Sequence, residues 1–427
     1  MEYTGKKLLI LGGAYLHNKV VEAARKMGVY TIVTDNVKDA PAKKIADKYY
    51  DINVSDVNRI VEMCREEKVD AVLTVCLDFC QIYYQKICEK LGVPCYGTGE
   101  QFRIFTDKRL FKKACVENGV DIIPTYTETQ LDEIQEDVYP VLVKPAYSRG
   151  SRGQTVCFDR DETRSALKEA KLLSDNGEAI IEKYMGDKED FQVTYLVVDG
   201  NPYVVRTADR YLGPAEKNMD RVAIALSSPS SNTELYMEKA HKKVSGMLRS
   251  LGIRNAPVFM QGFVDGDKFR FYDPGLRFPG GDYDRIFASV MGFDLMKLLI
   301  ELAFTGKISP KGGLDDETVY LKGSTIFTLH STVDAGTIAS VTGREELLKI
   351  PGVKFVSFRH EAGDKIEFTG NVNQRIAEFN IYGDTPENLR NTVAEVEKKL
   401  KVLDTEGNDM VFCKFDINTW RQCIRRK

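Results

Sequence analysis

Short apolar runs alternate with segments of helical period through the amino-terminal quarter of the chain. "KLLILGG", "YTIVTD" and "DAVLTV" read as buried strands, while 18–28, 56–67 and 79–91 repeat their apolar positions every three to four residues. A βαβαβα series of this kind predicts a parallel sheet with right-handed crossovers. A further helix, "DKRLFKKACVENG" at about 107–118, leads to "VDIIPTY" and marks entry to a second unit. From 140 the pattern changes: "YPVLVKP" predicts a strand, "AYSRGSRGQ" a glycine- and serine-rich loop, "TVCF" a strand, 161–173 a helix and "EAIIEKY" another strand. "DFQVTYLVVDGNPYVVRTADR" then reads as two antiparallel strands turning at Asp199-Gly200. A helix at 232–251, a hairpin at 256–273 around Asp265-Gly266 and a helix at about 292–305 follow, before "TGKISP" closes the unit. The remainder shows short strands ("STIFTLH", "KFVSF", "RIAEFNIYG") and a helix at 385–400.

This organisation predicts an α/β and α+β multidomain chain. The expected units are a parallel α/β domain at 1–106, a mixed domain at 107–310 with a smaller unit inside it at about 125–190, and an α+β domain at 311–427.

Composition narrows the function. Sixty Lys and Arg against 63 Asp and Glu leave a net charge of −3, which gives no electrostatic reason to expect nucleic acid. No apolar run reaches the ~18 residues of a membrane span, so no membrane partner is expected and the protein is read as cytoplasmic. The nine cysteines include no C-x-x-C pair and fit reduced, buried thiols rather than a zinc site or a disulfide framework. Gly12 and Gly13 followed by Asp35 invite a dinucleotide-binding reading, but the turn is "GGAYLHN" and lacks the G-x-G-x-x-G spacing. His330 and His360 have no partner motif and are expected to be structural or surface residues.

Four features carry chemistry together: Lys108 at a helix start, Lys144 at the end of "YPVLVK", the "SRGSRG" loop after it, and Glu182 ending "AIIEK". A strand-end ammonium needs a polar partner, and a ligand phosphate is one; alone, each lysine is simply solvated. In the loop, Gly150 and Gly153 permit close backbone approach, with Ser148, Arg149, Ser151 and Arg152 beside them, so it can fold over phosphates or be a basic hairpin tip. The stretch "KFRFYDPGLRFPGG" at 268–281 ends a strand in an acid and an arginine, which suits either a turn or a metal and phosphate site. The segment 206–221, with Arg206, Arg210, Lys217 and Arg221, is expected to line a substrate wall or to form an exposed charged loop.

The order of "TDKRLFK", "LVKP", "SRGSRGQ" and "EKYM", followed by the strand at 256–273, resembles the ATP-grasp superfamily over nearly the whole chain, with phosphoribosylglycinamide synthetase, biotin carboxylase and the carbamoyl phosphate synthase large subunit closest in layout. The resemblance implies an ATP-grasp fold, with the domain at 1–106 preceding it. It implies that Lys108, Lys144 and the loop at 148–153 bind ATP phosphates, and that Glu182, with the backbone of Lys183 and Met185, meets the adenine edge. Glu189 or Asp190 would hold the ribose. In the family's E-x-N-x-R pattern the acid and Asn bind magnesium and the Arg reaches the reacting phosphate; here "DPGLR" puts Asp273, Gly275 and Arg277 at those places, with Gln261 on the preceding strand as the second metal ligand. The implied cofactors are ATP and one or two magnesium ions. The implied function is a carboxylate-amine ligase working through an acyl phosphate on small-molecule carboxylate and amine substrates, with a homodimer as the assembly considered. The alternative is a non-catalytic ATP-binding or regulatory protein with a weakened metal site.

Overall fold

The computed structural model describes residues 3–424 apart from 134, 147–152, 175–176, 187, 214–221 and 311–312. The amino-terminal run of buried strands forms a parallel sheet in the order Lys48–Tyr50, Tyr30–Thr34, Lys7–Leu11, Ala71–Leu73. Helices Asn18–Lys26, Val57–Glu67 and Asp78–Leu91 fall where the helical period places them, the last ended by Gly92 at φ +69°. Strand Lys48–Tyr50 is an addition to the expected series, because its half-exposed "KYY" has no apolar run.

The small unit is an antiparallel sheet ordered Thr125–Tyr126, Ala179–Lys183, Val141–Pro145, Thr155–Cys157, with helix Arg160–Leu172 on it and its own apolar core around Val141, Val143, Leu167 and Ile181. The larger sheet has nine strands among the described residues. Its order begins Lys268–Gly275, Ala256–Asp265, Glu189–Val198, Asn201–Leu212, Ala223–Ser228, Thr325–Val333 and Arg375–Gly383. Strand Ala223–Ser228 pairs Ala225 with Leu329, so one sheet runs from the ATP-grasp-like strands into the carboxyl-terminal region across the expected boundary at 311.

The expected helix at 232–251 is two helices, Thr233–Lys239 and His241–Ser250, broken at Ala240 where φ is −120°. The expected helix at 292–305 begins at Leu295, capped by Asp294, and is preceded by Asp284–Met291. Asp199 (φ +48°) and Gly200 (φ +85°) form the expected tight turn between strands. All nine cysteines are free thiols, and no helix of the described residues is long and apolar enough to cross a membrane.

Candidate active site

Cross-strand pairing builds the site. Leu142 is opposite Glu182 and Lys144 opposite Ile180, so Lys144 and Glu182 are diagonal neighbours on one face of the small sheet. The Lys144 ammonium lies 2.6 Å from Glu182 Oε2, and Lys112 Nζ bonds to the other carboxylate oxygen and, at 2.5 Å, to Thr125 Oγ1. Glu182 is fully buried; burial raises its pKa, but Lys144 and Lys112 outweigh that and hold it below the usual carboxylate range. Lys112 was not singled out by sequence reasoning. Its signal is the i, i+4 spacing from Lys108 in "DKRLFKK", which puts both ammoniums on one side of helix Lys108–Glu117.

Lys108 opens that helix, after the Asp107 cap, and faces the large sheet. Burial lowers its pKa, and the charge of Asp273 opposes the shift. On the large sheet Gln192, Gln261 and Asp273 are directly opposite one another on three adjacent strands, so all three side chains lie on one face. Asp190, two residues from Gln192, shares that face, whereas Glu189 points to the other. Burial raises the Asp273 pKa; Lys108 pulls it down and Asp78 pushes it up. No described residue gives Asp273 a hydrogen bond or an ion pair. Three ammoniums against the carboxylates of Glu182 and Asp273 leave one uncompensated cation, so the seam favours an anion.

Arg277 closes the opening between the sheet and the amino-terminal domain. Its Nε and Nη2 each donate at 2.6 Å to Asp78, its Nη1 donates to the Phe278 carbonyl at 3.1 Å, and its guanidinium stacks 4.7 Å from the centre of Phe259. Gly275, at the place of the family's Asn, has no room for a side chain: a Cβ there would be 2.2 Å from Phe259 Cε1.

The other expected residues have these surroundings. The Lys183 amide donates to the Pro124 carbonyl, and the carbonyl of buried Met185 accepts from the Lys188 amide. Gly153 has φ +77° and packs on Pro145 and Leu173. Glu189 accepts from Asn232 Nδ2 at 2.7 Å and lies 3.5 Å from Arg421 Nε. Asp190 accepts from Arg210 Nη1 at 2.6 Å and Tyr272 OH at 3.1 Å, and Arg206 donates to Gln192 Oε1 at 2.7 Å. Ser148, Arg149, Gly150, Ser151, Arg152, Lys217 and Arg221 lie outside the described residues. His330 is buried and bonds to the Ala223 carbonyl; half-buried His360 bonds to the Asn373 carbonyl.

The dinucleotide reading has a direct physical obstacle. Asp35 Oδ2 accepts from the Gly13 amide at 2.6 Å, and the His17 ring fills the space over Gly12, 2.7 Å from where a Cβ would be. The approach that a pyrophosphate needs is occupied by the chain itself.

Three family profiles match in succession: PylC-like, N-terminal domain, at 8–82; carbamoyl-phosphate synthase L chain, ATP binding domain, at 107–272; and L-amino acid ligase C-terminal domain 2, at 330–403. The chain has the ATP-grasp fold, and its central segment matches an ATP-binding domain. Similar solved structures include phosphoribosylglycinamide synthetase from Anaerococcus prevotii (TM-score 0.73, 17% identity, 94% of this chain and 100% of that one). L-amino acid ligase from Bacillus licheniformis is another (TM-score 0.75, 18% identity, 94% and 99%). Both share the ATP-grasp fold with this chain. In sequence it is 28% identical over 212 residues to formate-dependent phosphoribosylglycinamide formyltransferase of Sulfurisphaera tokodaii, covering 47% of this chain and 53% of the relative. It is 31% identical over 201 residues to that of Sulfolobus acidocaldarius, covering 45% and 49%. The chain thus spans about half the length of these two curated relatives.

Proposed function

We propose that this ATP-grasp protein is an ATP-dependent carboxylate-amine ligase. A substrate carboxylate oxygen attacks the γ-phosphorus of ATP, the bond to the β-phosphate oxygen breaks and ADP leaves. The lone pair of an amine then attacks the acyl phosphate carbon, phosphate departs with the C–O electrons, and the nitrogen loses a proton. The observation that carries this reading is the seam between the two sheets, where Lys108, Lys112 and Lys144 meet the row Gln192, Gln261, Asp273 with no Ser or Cys nucleophile among the named groups. Phosphoryl transfer asks a protein chiefly for positioning and charge neutralisation, which such a seam supplies.

In this reading Lys144 and Lys108 hold ATP phosphates, the strand end at Glu182–Met185 meets the adenine, and Asp190 rather than Glu189 faces the nucleotide, since it shares the sheet face of Gln261 and Asp273. The donors fit a magnesium ion: one carboxylate and one amide oxygen in register, the rest of an octahedron left to phosphate and water. Asp273 and Gln261 would hold it, and the ion would neutralise charge on the phosphate oxygens. Gly275 adds no ligand. Arg277, tied to Asp78, holds the strand end against the amino-terminal domain and presents its charge beside Asp273. We propose the units 1–106, 107–310 and 311–427, the last two sharing the large sheet across their boundary, and include a cytoplasmic location and a homodimer in the proposal.

The test is release of ADP and phosphate from Mg-ATP over a panel of small carboxylic acids and amines. A carboxylate- and amine-dependent release is expected. ATP binding without release under any pairing would overturn the ligase and leave the non-catalytic alternative.

A further inference from the structure

Beyond the nucleotide seam a second polar cluster is buried where the three regions meet. A chain of contacts leads to it: Lys144 sits 6.0 Å from the Tyr272 ring, and Tyr272 and Arg210 share Asp190 Oδ2. Beyond Arg210 are Arg206, Arg359 and Arg375, facing Glu378 and Asp282. Neighbouring ions have partners of their own: Lys19 bonds to Asp284 at 2.6 Å and to the Gly281 carbonyl at 2.7 Å, and Arg285 is balanced by Glu22 through its terminal nitrogens, with its Nε turned toward Asp282.

The central groups are not closed. Glu378 Oε1 accepts the Asp282 amide at 2.5 Å, but its Oε2 has no hydrogen bond from a described residue; Arg359 and Arg375 stand 3.7 and 3.8 Å away and His330 3.4 Å. Asp282 Oδ2 accepts from Ser357 Oγ at 2.9 Å, while Oδ1 is buried without a hydrogen bond from a described residue, Arg285 Nε standing 3.6 Å away. The Nε donors of Arg206, Arg359 and Arg375 are likewise buried without an acceptor there. Arg206 is 2% exposed, Asp282 1% and Glu378 0%. Unmet buried donors and acceptors side by side are costly in an empty protein and rare unless something completes them.

Taken with the ligase reading, on which it rests, the geometry points to this cluster as the binding site of the acceptor amine, and to an amine of net negative charge: one ammonium together with either two carboxylates or a phosphate. The ammonium meets Asp282 Oδ1 and Glu378 Oε2, and the anionic groups meet the three guanidinium Nε donors. The charge count selects this class. Three guanidiniums against two carboxylates leave one positive charge, which a neutral zwitterion such as glycine does not compensate and a ligand of charge −1 does.

Calorimetry with the full chain and Mg-ADP tests this without requiring turnover. Aspartate and O-phosphoethanolamine are the two anionic probes, glycine the neutral one and ethanolamine the cationic one. At least one anionic probe is expected to bind tenfold or more tighter than glycine, and the stronger of the two says whether carboxylate or phosphate is the natural anion. Arg375→Met should reduce that affinity at least tenfold and leave ATP affinity unchanged. Arg359→Gln, at a more exposed position, gives the same comparison should Arg375→Met fail to fold. Glycine or ethanolamine binding as tightly as both anionic probes overturns the inference, as does the absence of binding by any amine. ADP release with a neutral amine alone would overturn it while leaving the ligase reading intact. Anion-selective binding without ADP release would support the site and count against the ligase.

Discussion

Glu182 and Asp273 are both carboxylates at strand ends, both drawn out of water, and the protein treats them in opposite ways. Glu182 is clasped by two lysines and is ionised because they surround it. Asp273 has Lys108 in its field but no bonded partner among the described residues, and its proton affinity is raised. A carboxylate already satisfied organises its surroundings before a ligand arrives; one left desolvated and unbonded is completed by the ligand. In the proposed ligase the first therefore belongs to the scaffold of the site and the second to its chemistry. The difference separates mutations that damage the fold from mutations that damage turnover.

The largest expected effect is on the scaffold side. Glu182→Gln leaves two buried ammoniums facing a neutral amide, and removing one member of a buried ion cluster costs roughly 3–5 kcal/mol. Urea unfolding followed by circular dichroism measures it. The pH dependence has a defined sign. The folded pKa of Glu182 is depressed, so its stabilisation is fully present above the ordinary carboxylate value of about 4.3 and is lost as pH falls through the folded value. The acid limb of the stability curve should be shallower in Glu182→Gln than in the wild type. Equal limbs and an unchanged unfolding midpoint would show that Lys112 and Lys144 do not depend on Glu182.

Asp273→Asn should do the reverse. With no fixed partner to orphan, the folded protein should tolerate the change. Turnover should fall by about 10²–10³, the scale seen when one group stabilising transition-state charge is removed. ATP affinity should change by only a few-fold, because charge on the transferring phosphoryl group builds after binding. Steady-state ADP release and calorimetric ATP binding on the same preparation separate the two quantities. Loss of affinity and turnover in equal measure would move Asp273 into the scaffold class.

Much of the scaffold was legible in the sequence. Buried parallel strands announce themselves as apolar runs, and Lys108, Lys144 and Glu182 occur in a fixed order around short motifs. Strand Ala223–Ser228 was missed because "RVAIAL" runs into "SSPSS", which reads as a loop; its burial comes from pairing with Thr325–Val333, a hundred residues later. The buried arginine and carboxylate cluster was largely illegible for the same reason, only Arg206 standing out, as part of the 206–221 segment. Arg206, Asp282, Arg359, Arg375 and Glu378 share no local pattern and are joined only by the continuous sheet and its flanking loops. Gly275 lies between these cases. The gap in the E-x-N-x-R pattern was visible, but the side chain that fills it, Phe259, lies on the neighbouring strand.

That filling decides the smallest of the expected effects and gives the sharpest test of what the glycine means. If Gly275 were only a lost metal ligand, Gly275→Asn would be tolerated and would raise magnesium-dependent turnover. The structure argues otherwise, because the new Cβ would fall within 2.2 Å of Phe259, which is 2% exposed and carries the Arg277 guanidinium on its face. Forcing Phe259 aside should cost about 1–3 kcal/mol, the usual range for overpacking a core. It should also loosen Arg277, so turnover falls even though a potential oxygen ligand has been gained. A double-mutant cycle with Phe259→Ala isolates the clash: the double variant should be less destabilised than the sum of the two single changes, by an amount above the roughly 0.5 kcal/mol scatter of independent sites. Additive effects, or a more active Gly275→Asn single variant, would mean that the ring does not hold the glycine in place and that restoring the ligand is enough.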